Sequence, residues 1–190
     1  MFKHSKISQY KFKKILRCFA EDRTVIKAAE MTAMDRKTIN RYYQRIRSIL
    51  ASVYSASPQI HINEMQTNLD FPIFEISYEN GKIDVQPIFN PNKLDLWNII
   101  NKIDYCTALY NDSRKAKFLL KDFDIEYKEI EHGIIIERFW DYAKDHIGKF
   151  YGLKKDDFYI HLKESEFRFN HKENLHEKLL LIIKQYSKLQ

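Results

Sequence analysis

Cysteine is scarce in this chain: only Cys18 and Cys106 occur, far apart and in segments of different kind. No C-x-x-C pair exists, which excludes a disulfide framework and a cysteine-based metal site and leaves reduced thiols in a cytoplasm as the expectation. Long apolar runs are missing too. The longest aliphatic run, Leu179 to Ile183, is far too short to cross a bilayer, and the basic start MFKHSKISQYKFKK lacks the apolar stretch of a signal peptide. A soluble, cytoplasmic protein with no membrane partner is expected. Acidic residues are scarce at one end only: residues 1–57 hold 4 Asp+Glu against 13 Lys+Arg, a net +9, whereas the other 133 residues hold 22 against 19, a net −3. A basic module joined to a larger, slightly acidic one points to nucleic acid as partner of the first, because phosphate contacts supply most non-specific affinity. Core material, by contrast, is plentiful. Over 190 residues, 44% hydrophobic and 14% aromatic content supplies one ordinary domain plus a small one and is too rich for a disordered tail.

In the basic segment Ile7, Tyr10, Phe12, Ile15, Leu16 and Phe19 recur at helical spacing, which predicts an amphipathic helix over 7–20. Thr24 is placed to cap a second, short helix running to about Thr32, and Asp35 to cap a third with Ile39, Tyr42, Ile46 and Ile49 on one face. Small Ala29, with Met34 and Ile39, fits the close crossing of a helix-turn-helix, and Ala33 takes the turn position where glycine is common. The third helix then presents Arg36, Lys37, Asn40, Arg41 and Gln44 on its free face. Arg and Lys pair with guanine or phosphate, and Asn and Gln make bidentate contacts to adenine, so double-stranded DNA is the expected partner. A solvated lysine-rich face or a three-helix protein-interaction module are the alternatives.

The polar stretch Ser52 to Pro58 reads as a linker, dividing a helix-turn-helix domain, 1–57, from a second domain, 58–190. Beyond it, Ile60 to Asn63, Phe71 to Tyr78 and Lys82 to Phe89 read as strands, the last two joined by Asn80-Gly81, a strong hairpin signal. A helix from Pro91 to about Lys102, a strand over Tyr105 to Tyr110, a short helix from Ser113 to Leu120 and a strand over Asp124 to Ile130 follow. Helices over 133–150, 155–168 and 173–188 close the chain. Trp97 and Trp140 are read as core. The order β-β-β-α-β-α-β-α is that of the RNase H-like fold, so the expected class is α+β/α/β: a three-helix head, then an RNase H-like domain with extra C-terminal helices. In open α/β sheets chemistry gathers at the carboxyl ends of strands, which singles out Asp112.

The run ERFWDYAKDHIGKFYGLKKDDFYIHLKESEFRFNH, residues 137–171, resembles the closing segment of the small DDE transposases of bacterial insertion sequences, the ISXO-like group. Its Glu137, Phe139-Trp140, Lys149-Phe150, Phe158-Tyr159, His161 to Glu164 and Glu166 to His171 follow that family's order and spacing. LYNDSRK is similar to the family's second catalytic block and places its aspartate at Asp112; Asn40 to Tyr43 resembles its DNA-binding head. The resemblance implies DNA transposition ancestry and three polar ligands holding two Mg²⁺ ions for in-line phosphoryl transfer. Two of the three matched positions are substituted here: QIHINEM puts Asn63 where an aspartate is expected, and HGIIIERFW puts Ile134 where a polar ligand belongs. Retained Asp112 alone implies weak or no metal binding and lost strand transfer, with Mg²⁺ as cofactor only if activity is kept. Two alternatives stand beside this reading: an active enzyme using an unorthodox ligand set such as Glu131 or Glu137, and a domesticated regulator. Association as a homo-oligomer, or as a mixed oligomer with a related transposase, belongs to the same implication.

Overall fold

The computed structural model describes residues 7–54, 73–88, 108–110, 133–150, 153 and 155–189. Contacts divide the chain into two compact units, Met1–Val53 with His171–Gln190, and Tyr54–Asn170.

Three helices open the first unit. Helix α1, Gln9–Ala20, starts at Ser8, whose side chain accepts from Lys11 N, and buries Phe12, Ile15, Leu16, Cys18 and Phe19. Tyr10, grouped with that apolar face by spacing, is exposed instead and lies beneath the Lys14 ammonium. Burial pushes the Cys18 thiol up, with Glu21 adding to the effect, so Cys18 packs as a small apolar side chain. Helix α2, Val25–Thr32, is capped by Thr24, as its spacing predicts. Its fully buried small residue is Ala28, not Ala29: one step along a helix turns a side chain by about 100°, and Ala29 points partly to solvent. Helix α3, Arg36–Tyr54, begins at Asp35, whose carboxylate accepts from Thr38 N at 2.7 Å. It runs through Ser52–Tyr54, which the composition marks as linker. The chain's last helix also belongs here. Sequence pattern assigns 171–190 to the second domain, yet α6, Leu175–Leu189, buries Leu179, Ile182 and Ile183 and packs against α1.

Between α2 and α3 the chain reverses at Ala33, with φ +51° and ψ +47°, and Met34 N–H returns to the Ala29 carbonyl. This left-handed conformation crowds Cβ and costs an alanine about 1–2 kcal/mol relative to glycine. The greater freedom of glycine in the unfolded chain offsets part of that gain. Ala33→Gly is therefore expected to stabilise the protein by about 0.5–1 kcal/mol. A denaturant midpoint that fell instead would contradict the left-handed turn.

In the second unit, β1, Ile73–Glu79, and β2, Lys82–Ile88, form an antiparallel hairpin through Asn80 and Gly81, both at positive φ. Strand β3, Ala108–Tyr110, pairs antiparallel with the other side of β1, giving the order β2-β1-β3. Helix α4, Gly133–Gly148, packs on α5, Lys155–Asn170, and on β1, while α5 packs on β2. Phe139 takes the deep position on α4, edge-on to Phe169 at 5.4 Å. Trp140, expected in the core, is only half-buried because it lies one step round the helix from Phe139.

Helix α5 is buried on every side from Tyr159 to Arg168 despite carrying six polar or charged residues there. Two of its side chains, Glu166 and, one turn on, Asn170, close the edge of β2. Ile83 N–H donates to Asn170 Oδ1 at 2.8 Å, Asn170 Nδ2 donates back to the Ile83 carbonyl at 2.6 Å, and Val85 N–H donates to Glu166 Oε2 at 3.0 Å. The Asn170 amide thus plays the part of a neighbouring strand's peptide group. An edge closed in this way offers no free ladder at Ile83 and Val85 to another chain. The strands expected over 60–63 and 124–130, the helices over 91–102 and 113–120, and Trp97 lie outside the described residues. Among the described residues no helix is long and apolar enough to cross a membrane.

Candidate nucleic-acid interface

The polar face of α3 is held in place by the core beneath it. Ile39, Tyr42, Tyr43, Ile46, Ile49 and Leu50 are buried, so the helix cannot rotate about its axis without exposing them. Phe12 meets Tyr42 with ring centroids 5.9 Å apart, and Phe19 meets Tyr43 edge-on at 5.1 Å, fixing α3 against α1. The Tyr43 hydroxyl donates to the Arg23 carbonyl at 3.1 Å, tying α3 to the link before α2. Arg47 is buried with its guanidinium near the Phe19 and Tyr43 rings, 5.7 and 5.8 Å from their centroids. Spacing alone does not single out Tyr43 and Arg47 as positioning groups, because a polar tip is needed inside only once the tertiary contacts exist.

Outside that core, Arg36, Lys37, Asn40 and Arg41 are all exposed, and Gln44 is half-buried. All five residues named from the sequence thus fall along one side of α3. The side chains of Arg36, Lys37 and Asn40 make no hydrogen bond or ion pair with any described residue. Arg41 lies 5.8 Å from the centroid of the Tyr42 ring. At the start of the helix the Asp35 carboxyl is held below its usual range, first by the Thr38 hydroxyl and backbone N–H and in smaller part by Arg41. Gln44 is less available: its Oε1 is enclosed and meets no donor among the described residues. Nearby, Ser48 Oγ donates to the Gln44 carbonyl at 3.0 Å. The Glu21 carboxyl is likewise lowered by its hydrogen bonds to Arg17 and Arg23, which engage those two cations.

The residues aligned with catalytic blocks fare differently. Asn63 and Asp112 lie outside the described residues, as does Glu131. Ile134 stands in the first turn of α4, 66% exposed, while Ile136 of the same run is buried. Glu137 is exposed one turn on. A side chain without oxygen or nitrogen cannot ligate Mg²⁺, so the described position does not fit that ion.

A second polar cluster is built inside the second unit. Lys163, with no exposure, donates to Glu166 Oε2 at 2.7 Å and to the Tyr54 carbonyl at 2.8 Å, and lies 3.4 Å from Asp84 Oδ1. Burial pushes the Glu166 carboxyl up to about 7 and Asp84 adds to the rise, against the opposing pull of Lys163 and the Val85 N–H. The Tyr54 hydroxyl is pushed up to about 12, by burial first and by Glu166 second. On the neighbouring turn, Arg168 pairs with Glu164 at 2.8 Å through both Nε and Nη2. Ser165 Oγ donates to the His161 carbonyl, so His146 Nδ1, 3.0 Å from Ser165 Oγ, carries the proton and donates to that hydroxyl. Buried and paired with one another, Lys163 with Glu166 and Arg168 with Glu164 order α5 rather than face a ligand.

A Haemophilus influenzae protein described as an uncharacterized transposase-like protein is 43% identical to this chain over 85 residues, a stretch amounting to 40% of this chain and 69% of the relative. No family model matches the chain. No solved structure matches it either.

Proposed function

We propose, given that the chain belongs to the transposase-like family, that it binds double-stranded DNA through α3 as the reading helix of a helix-turn-helix, and that its second unit is an RNase H-like body which no longer transfers strands. One observation carries the first part: a cationic and amide-bearing face on a helix whose opposite side is locked into a core. The +9 charge of residues 1–57 supports it, since phosphate attraction concentrates where that charge is. Ile134 supports the second part. It offers nothing to a divalent ion, and a metal pair needs several oxygen ligands at once.

Binding of the full chain to a duplex, followed by fluorescence anisotropy across a salt series, tests the reading. Lys37→Ala and Arg41→Ala should each weaken binding and lower the slope of log K against log salt by about one. Slopes left at the wild-type value would remove α3 from the interface. With Mg²⁺ and a duplex substrate the unaltered chain should neither cleave nor join DNA. Joining that Asp112→Ala abolishes would overturn the loss of catalysis.

A further inference from the structure

We propose that Arg36 and Asn40 are the base-reading pair of this chain, selecting a guanine and an adenine within about two base steps of each other in the major groove; the inference rests on the duplex-binding reading above. Reading a base edge requires a planar group with two hydrogen-bonding atoms, exposed and not already engaged. Along α3 the five candidate side chains divide sharply by that criterion. Lys37 is exposed, but an ammonium is a point charge with no fork to match a base edge. Arg41 has the fork, yet its guanidinium lies 5.8 Å from the centroid of the Tyr42 ring. Gln44 has the amide, yet its Oε1 is enclosed, so only half of a bidentate contact remains. Arg36 and Asn40 alone among the five combine a planar bidentate group, exposure, and freedom from described partners.

Their spacing adds a geometric constraint. Four residues along a helix advance about 6 Å, and one base step advances about 3.4 Å. Side chains at 36 and 40 therefore meet edges fewer than two steps apart. Ile39, three residues beyond Arg36, and Tyr43, three beyond Asn40, are buried and fix the direction in which the pair points. Lys37 and Arg41, further round the helix from the core than the pair, serve as phosphate contacts, which orient the helix without carrying sequence information.

Selection of the full chain against duplexes with a randomised stretch, with affinities then measured across salt, tests this. Wild type should enrich a site holding a G·C and an A·T pair within two steps. Asn40→Ala should lose its preference at the A·T pair by about 5- to 150-fold with an unchanged salt slope. Arg36→Lys, which keeps the charge and loses the fork, should relax only the G·C position. Arg41→Ala should weaken all sequences alike and lower the slope. Thermal midpoints of all three should match wild type, since the altered side chains are exposed. Duplex binding that keeps its sequence preference in both Asn40→Ala and Arg36→Lys would overturn the pair alone. A wild-type chain with no affinity for any duplex would overturn the duplex-binding reading itself.

Discussion

Lys163→Met should destabilise the protein by about 3–5 kcal/mol at pH 8, the usual effect of removing one partner from a buried ion pair. The Lys163 ammonium is fully buried and touches the Glu166 carboxylate, the Asp84 carboxylate and the Tyr54 carbonyl. Without it, Glu166 is left charged in a site that cannot hydrate it, and it relieves the cost by taking a proton. The loss should accordingly shrink toward pH 5. Replacing Glu166 with Gln in the same chain keeps an acceptor for the Val85 N–H while removing the charge, and should recover most of the loss. Denaturant midpoints of wild type and both variants at pH 5 and pH 8 make the comparison. If the double variant were as unstable as the single one, the buried charge would not be the cause.

Wild type carries a related pH signature. The folded value of the Glu166 carboxyl, about 7, lies above its ordinary 4.5, so between those limits the folded chain holds a proton that the unfolded chain has released. The stabilisation from that proton is complete below pH 4.5, falls as pH rises through 7, and is gone above it. Glu166→Gln should abolish this part of the slope.

Phe139→Ala should cost a similar amount, about 3–5 kcal/mol, by opening a cavity where α4 and α5 meet. Phe139 has no exposure, and its ring stands edge-on to Phe169, which also meets Tyr142 at 5.9 Å. Neighbouring Trp140 is larger but half-buried, so Trp140→Ala should cost distinctly less. Midpoints in the reverse order would mean that α4 turns its other side to the core.

Local signals in the chain were sufficient for local structure. Thr24 and Asp35 mark helix starts because a side-chain oxygen three residues before an orphan N–H needs no distant partner. Asn80-Gly81 marks the hairpin because both residues tolerate positive φ. The α3 face from Arg36 to Gln44 was likewise legible, since helical period alone gathers those side chains to one side of the stripe that Ile39 and Ile46 mark. The choice between adjacent residues was not: Ala28 over Ala29 and Phe139 over Trp140 depend on a rotation that the opposing surface sets. Nor could periodicity assign α6 to its unit, because an apolar stripe says that a helix needs a partner and not which one. Least legible was α5, where the charged residues Lys163, Glu164, Glu166 and Arg168 are buried. Glu164 and Arg168 pair locally, but other partners of this helix stand far away in the chain, with Val85 81 residues from Glu166, Ile83 87 residues from Asn170, and Tyr54 109 residues from Lys163. Only the closed fold brings those groups within hydrogen-bond reach, and only then does burying a charge cost less than leaving it in water.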